Sequence, residues 1–269
     1  MTESFTSTRA DLLAALDGFR VVIDEARARA DLILDRPPLN VITMVQRAQM
    51  AAVIEELDRR QAIRVIVLRG AGENFSSGGD IPGFMDQTPE TLSKLAWNVA
   101  ALERCAKPVI AAIRVYCFGV GFELCLACDF RILGQSAQLG LPEMRIGMIP
   151  GSGGSARLVK MIGIGRAKDM AMRSRRVPAA QAVEWGLALE AVGDDELDAA
   201  VDALVGELLN FSPLAQRTLK SVLNGATDSP LHVAIETEGQ AFGRLRGSDD
   251  FREGVASFKD KRRPKFEGA

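Results

Sequence analysis

The stretch "KPVIAAIRVYCFGVGFELCLACDFRILG" (residues 107–134) decides the fold. It opens on "KPVIAAIRV" (107–115), a short apolar run with β-branched residues, which reads as a buried strand. A glycine-bearing loop, "YCFGVG" (116–121), follows, then a helix starting in "FELCLACD" (122–129), then another strand, "FRILG" (130–134). Strand, glycine corner, helix and strand in that order predict an α/β architecture with βαβ-type crossovers.

The same order stands upstream. "AIRVIVLRG" (62–70) is a short buried strand, "AGENFSSGGDIPGF" (71–84) a glycine-rich loop, and "TPETLSKLAWNVAALERCA" (88–106) a helical stretch. Before it, "RVVIDEARARADLILDRPP" (20–38) predicts two strands ending at the Pro37-Pro38 break, and "LNVITMVQRAQMAAVIEELDRRQ" (39–61) has apolar residues at helical spacing. Past about Asp194 the strand signals fade. Residues 195–210, 212–226 and 230–247 read as successive amphipathic helices, with Ser212 as N-cap and Pro213 at the first helical position. The segment "DFREGVASFKDKRRPKFEGA" (250–269) adds a last helix and a basic terminus. The division predicted is an α/β core over 1–200, with 1–20 as an N-terminal extension, and a helical region over 201–269.

The chain of 269 residues, 47% hydrophobic, supports a sizeable core. With 25% charged residues and a net charge of −2, neither disorder nor a general nucleic-acid surface is indicated. No apolar run reaches membrane-spanning length, and "MTESFTSTRADLLAALDGF" (1–19) lacks the basic start and apolar h-region of a secretory signal, so a cytoplasmic protein is expected. Cys105, Cys117, Cys125 and Cys128 lie in mostly apolar sequence and read as buried thiols. The Cys125-x-x-Cys128 pair has no second pair or histidine cluster beside it, so no metal site is expected. The lone His232 leaves a Ser-His-Asp or Cys-His mechanism one possible base, in what reads as a helix start.

Two strand ends lead into glycine-rich loops, "NFSSGGDI" (74–81) and "YCFGVGFE" (116–123). Glycines at such corners allow close backbone approach to a ligand, and facing corners could supply a pair of amide donors, the arrangement of an oxyanion hole. Ordinary tight βα turns are the alternative. Neither loop, nor "PGSGGSARL" (150–158), carries a P-loop or a dinucleotide fingerprint. Glu123 is the one carboxylate between Phe118 and Cys128, among apolar residues and glycine. It serves either as a charge complement to a helix N-terminus or as a desolvated acid–base group, since burial raises a carboxylate's pKa. Glu143, in "AQLGLPEMRIGMIPGSGG" (137–154), is similarly isolated, with Arg145 as a possible ion-pair partner. Carboxylates in two nonpolar settings can divide acid and base roles, though spacing does not show that they meet.

Together these motifs resemble the crotonase superfamily, whose best-known member is enoyl-CoA hydratase. The resemblance rests on "RPPLNVI" (36–42), "FSSGGDI" (75–81), "KPVIAAIRVYCFGVGFELCLACDFRI" (107–132), "AQLGLPEMRIGMIPGSGGSARL" (137–158), "RVPAAQAVEWGLALEAV" (176–192) and "FREGVASFKDKRRPKF" (251–266). It implies a spiral of ββα repeats, a helical C-terminal trimerisation segment, and homotrimers or hexamers built as dimers of trimers. It implies an acyl-CoA substrate and no cofactor, coenzyme A entering with the substrate. By motif position the backbone N–H groups of Gly79 and Val120 form the oxyanion hole. Glu123 activates water for addition to a trans-2-enoyl-CoA, and Glu143 supplies the proton to the α-carbon. Arg36, Ser77, Gly78, Asp80 and Ile81, with Phe258 and Lys261 near the CoA adenine and phosphates, fall where substrate contacts are expected; the composition of the tail by itself reads as a solvated end.

Val120 replaces the glycine common in hydratases, Pro82 stands where lysine is common, and "SSGGD" is also similar to dihydroxynaphthoyl-CoA synthases. Other reactions of the superfamily, enoyl-CoA isomerisation or hydrolysis of a ring-cleavage or oxo-acid thioester, and a non-catalytic or RNA-binding scaffold, are the alternatives. The scaffold would not need both glutamates.

Overall fold

The computed structural model describes residues 16–269; of the N-terminal extension, residues 1–15 lie outside the described residues. The first two strands, β1 (Phe19–Asp24) and β2 (Arg29–Leu34), pair antiparallel, Phe19 opposite Leu34. The helix α1 (Met44–Arg59) begins at Thr43, whose side chain accepts from the Gln46 N–H while Gln46 reaches back to the Thr43 N–H. That reciprocal capping satisfies two amides that the first turn otherwise leaves without partners, so the helix starts several residues after Leu39. β3 (Val65–Gly70) then lies parallel to β2.

After the first glycine loop comes a single exposed turn, α2 (Ile81–Phe84). The predicted helix over 88–106 is three short pieces, α3 (Pro89–Ser93), α4 (Leu95–Val99) and α5 (Ala101–Arg104). Tight i→i+3 bonds, Lys94 N to Thr91 O and Trp97 N to Lys94 O, interrupt the i→i+4 ladder. β4 (Val109–Ile113) and β5 (Tyr116–Phe118) follow, then α6 (Val120–Leu126). Part of the segment read as a loop, 116–121, is therefore strand, and the helix starts at Val120 rather than Phe122.

The next turn repeats the pattern with β6 (Phe130–Gly134), β7 (Gln138–Gly140), a 3₁₀ turn (Glu143–Ile146) and α7 (Gly154–Met172). β8 (Val177–Pro178), α8 (Ala179–Glu184) and β9 (Glu190–Val192) close the spiral. The larger sheet has the order β1-β2-β3-β4-β6-β9, parallel beyond the first pair, and the smaller one the order β5-β7-β8. The units β4-β5-α6 and β6-β7-α7 each give one strand to the larger sheet and one to the smaller, and this repetition winds the chain into a spiral. The chain is α/β with a helical C-terminal part, the architecture that the resemblance implies.

The central strands are apolar on both faces because both are covered. Val65, Val67, Ile110, Ala112 and Ile132 pack on Leu197, Val201 and Val205 of α9 (Leu197–Leu209). The alternate residues, Ile66, Leu68, Ala111 and Ile113, face the main core with α1 and α6. Beyond α9 come α10 (Pro213–Ala226), α11 (Leu231–Leu245) and α12 (Asp249–Asp260). Ser212 caps α10, its hydroxyl accepting from the Ala215 N–H, as its place before Pro213 predicts.

Candidate active site

The two glycine loops lie side by side. Ser76 bridges Cys117 in parallel register, with Ser76 N donating to Tyr116 O and Phe118 N to Ser76 O. Continuing that register places Gly78 beside Gly119 and Gly79 beside Val120. A Cβ on Gly119 would stand 3.6 Å from the Gly78 Cα. Both glycines have positive φ, +115° at Gly78 and +53° at Gly119, a region closed to most side chains. Each turns the peptide group that follows it, which carries the N–H of Gly79 or of Val120. Neither N–H has an acceptor among the described residues. At Val120 this follows from its place as the first residue of α6.

Glu123 sits one turn into α6 and is 2% exposed. Its Oε1 accepts from Ser152 N at 2.7 Å and Gly154 N at 2.9 Å. The charge complement is therefore not its own helix alone but the amides entering α7, supplied by the glycine run 151–154. Its Oε2 has no hydrogen-bond partner among the described residues. Glu143 opens the 3₁₀ turn, and a Cβ on Gly119 would lie 3.2 Å from its Oε1. Its Oε2 is buried without a hydrogen-bond partner. Burial pushes the Glu143 carboxyl up to about 7, the charge of Glu123 adding to it, while a backbone N–H bond and Arg47 oppose. Arg145 is exposed and forms no ion pair with Glu143 among the described residues, so that alternative is set aside.

Sequence reasoning missed the cation here. Arg47, in the second turn of α1, is 3% exposed; its Nη1 donates to Ser152 Oγ at 3.0 Å and its guanidinium lies 5.4 Å from the Phe84 ring centre. Burial brings its pKa down to about 10, with Glu123 and Glu143 opposing, so it is charged at neutral pH. The signal was present: Arg47 falls on the apolar stripe of α1 with Met50, Ile54 and Leu57, where a lone cation needs a reason.

Of the other predicted residues, Ser77, Gly78, Asp80 and Ile81 line the first loop. Ser77 N donates to Leu39 O, Asp80 N to Ile42 O, and Ile81 is half exposed. Arg36 is turned toward the N-terminal side, its Nη2 2.6 Å from Asp17 Oδ1. Phe258 is exposed on α12 and Lys261 is that helix's left-handed C-cap; no contact joins either to the glycine loops among the described residues. His232 is exposed on α11. The four thiols are free and buried, Cys117 Sγ lying 3.5 Å from Cys125 Sγ. Two large cavities, ≈ 970 Å³ under α10 and ≈ 980 Å³ between α1 and α3–α4, lie outside the glutamate pair.

Comparison with known proteins gives a consistent set of relatives. Residues 26–269 match the family model for enoyl-CoA hydratase/isomerase. A putative enoyl-CoA hydratase/isomerase of Bacillus subtilis is 34% identical over 88% of this chain and 94% of its own length. A probable enoyl-CoA hydratase of Rhizobium meliloti is 31% identical over 92% of this chain and 98% of its own length. Among solved structures, enoyl-CoA hydratase from Bacillus anthracis superimposes with a TM-score of 0.88 at 31% identity, covering 94% of this chain and all of that one.

Proposed function

This chain belongs to the enoyl-CoA hydratase/isomerase family and is an acyl-CoA-processing enzyme of the crotonase type; we propose that its reaction is addition of water to a trans-2-enoyl-CoA, giving a 3-hydroxyacyl-CoA. One observation carries this reading: two carboxylates of unlike setting converge on two unpaired amides. Glu123 accepts two backbone N–H bonds on one oxygen, leaving Oε2 to hold and deprotonate water. Glu143, near 7, is poised to carry a proton at neutral pH.

In the proposed sequence the thioester oxygen accepts from Gly79 N–H and Val120 N–H. Water adds to the β-carbon as Glu123 takes its proton, and the π electrons move onto the thioester oxygen. The resulting enolate then takes a proton at the α-carbon from Glu143, and its negative charge is relieved. Isomerisation would need Glu143 alone, so the buried and doubly anchored Glu123 favours hydration. Substrate contacts are assigned to Ser77, Gly78, Asp80 and Ile81 of the first loop, with Arg36, Phe258 and Lys261 at the CoA end; no cofactor enters the proposed steps.

The helical region supports a homotrimer, or a hexamer of two trimers. α10 buries none of its residues and α11 only Ala241, yet Leu219, Leu223, Ile235 and Phe242 are exposed on them. Residues 201–269 are proposed as this oligomerisation region, following the core over 1–200. Among the described residues no helix is long and apolar enough to cross a membrane; the assigned place is the cytoplasm, in fatty-acid-type acyl-CoA metabolism.

The test is a panel of enoyl-CoAs of different chain length and ring content, followed by loss of the conjugated thioester absorbance. Hydration that Glu123→Gln and Glu143→Gln each depress strongly is the expected result. Undiminished hydration in either variant overturns the two-glutamate mechanism, and release of free CoA moves the assignment to thioester hydrolysis.

A further inference from the structure

Nothing local to α1 asks for an arginine at position 47. A cation in the second turn of a helix opposes the helix dipole, and desolvation of a guanidinium is costly unless it is paired. Yet Arg47 is buried, and of its N–H groups only Nη1 has a hydrogen-bond acceptor among the described residues. Its Nε is buried with none. The charge is therefore directed at something other than the protein's own hydrogen bonds.

Its direction is given by Gly79. A Cβ on Gly79 would lie 2.9 Å from Arg47 Nη2 and 2.8 Å from Phe84 Cζ, both tighter than real Cβ contacts allow. Gly79 is thus the residue that leaves room for the guanidinium, which the Phe84 ring backs. By standard bond geometry a Cβ stands about 2.5 Å from its own amide nitrogen. Nη2 is therefore within about 5.4 Å of Gly79 N, by that geometry. That separation lets one oxygen lying between them accept from the amide at the usual ~2.9 Å and from Nη2 as well.

We propose that Arg47 is a third donor of the oxyanion hole, its Nη2 donating to the thioester oxygen beside the N–H groups of Gly79 and Val120. The proposal rests on the reading of Gly79 as an oxyanion donor and deepens it. The guanidinium is fixed before substrate arrives: Ser152 Oγ accepts from Nη1, while the Ser152 N–H holds Glu123. One residue thereby sets the base and the cation in mutual register. As electrons move from the β-carbon addition onto the thioester oxygen, a full positive charge meets them in a desolvated site, where it acts more strongly than in water. With Glu123 as the carboxylate base and Glu143 protonated, the site is neutral before and after the enolate forms, because the negative charge passes from Glu123, which takes the water proton, to the thioester oxygen facing Arg47. Without Arg47 the same step would carry one negative charge throughout, with no cation beside the oxygen that receives it.

The experiment uses acetoacetyl-CoA, which needs no hydration step and whose bound enolate is read by its ultraviolet absorbance across pH. In Arg47→Gln, which keeps a donor toward Ser152 but removes the charge, the enolate-to-keto ratio of the bound thioester should fall about tenfold or more, with kcat for hydration lowered by about 10² and KM little changed. Arg47→Lys should recover part of both. Gly79→Ala is the second variant, because its methyl group displaces Nη2 without removing any group; it should lower the ratio in the same direction. An unchanged ratio with saturating acetoacetyl-CoA, in whichever of Arg47→Gln or Gly79→Ala folds, overturns the proposal and leaves Arg47 as a positioning residue for Ser152 and Glu123. An unmodified protein that enolises acetoacetyl-CoA but hydrates no enoyl-CoA sinks the hydratase reading alone.

Discussion

The two glycine loops are built alike and end differently. In both, a positive-φ glycine turns a following N–H away from the sheet, and Ser76 and Cys117 bridge the pair. The second loop runs into α6, whose residues from Val120 to Leu126 are all buried. The first runs into α2, a single turn with no buried residue. Val120 is therefore carried on a packed helix, whereas Gly79, bridged to Ile42, stands just before an exposed turn. On the proposed mechanism, the contrast separates the acid–base chemistry around Glu123 from the loop assigned to substrate contacts. Asp80 shows the same asymmetry: it stands at the N-cap of α2 but makes no side-chain capping bond, so the first loop is held by backbone bonds through Ser77 and Asp80 to Leu39 and Ile42.

The sharpest way to break this contrast is at the packed loop. Glu123→Gln keeps the volume and loses the base, so kcat should fall by about 10²–10⁴ with the melting temperature little lowered. A comparable loss from Ile81→Ala on α2, measured in the same turnover assay, would show that rigidity is not what distinguishes the loops. Next in size is Gly119→Ala. Its φ of +53° disfavours alanine, and the added Cβ would meet Glu143 Oε1 at 3.2 Å. Backbone strain of about 1–3 kcal/mol should appear as a lower denaturation midpoint, alongside a marked loss of turnover.

Proton placement gives a third, intermediate effect. Turnover that needs protonated Glu143 should fall as pH rises through about 7, read from a pH profile of kcat. The linkage has a definite sign. Glu143 titrates higher in the folded chain than its ordinary 4.5, so the folded state binds more protons and stability drops as pH rises between those values. Glu143→Gln removes that drop. At pH 8 it should melt above the parent while turning over more slowly, and a lower melting temperature there would contradict the burial argument. The smallest effect belongs to the exposed loop: Pro82→Lys adds a cation where the CoA phosphates are expected. A surface charge contact of about 0.5–1 kcal/mol should lower KM a few-fold, with kcat unchanged.

Much of this was legible along the chain. Apolar runs with glycine corners identified β3, β4 and β6, and Ser212-Pro213 located the start of α10. The broken helix over 88–106 was not legible, because its interruption is a change of hydrogen-bond partner that leaves the residue pattern untouched. Nor was β5 legible, since three residues beside a glycine carry too little periodicity to separate strand from loop. At the site, Glu123 and Glu143 stood out as isolated carboxylates, but the Arg145 pairing suggested for Glu143 was a neighbour in sequence only.

By itself the sequence determined the α/β class and the family and singled out both carboxylates as candidates, because periodicity, glycine placement and lone charges are local properties. Only the tertiary structure decided their environments. It gave Glu123 the amides of Ser152 and Gly154, left Glu143 Oε2 buried without a hydrogen-bond partner, and brought Arg47 from a distant helix to the face of Gly79. Desolvation and charge pairing depend on which segments meet in space, and that is settled by packing rather than by the order of residues.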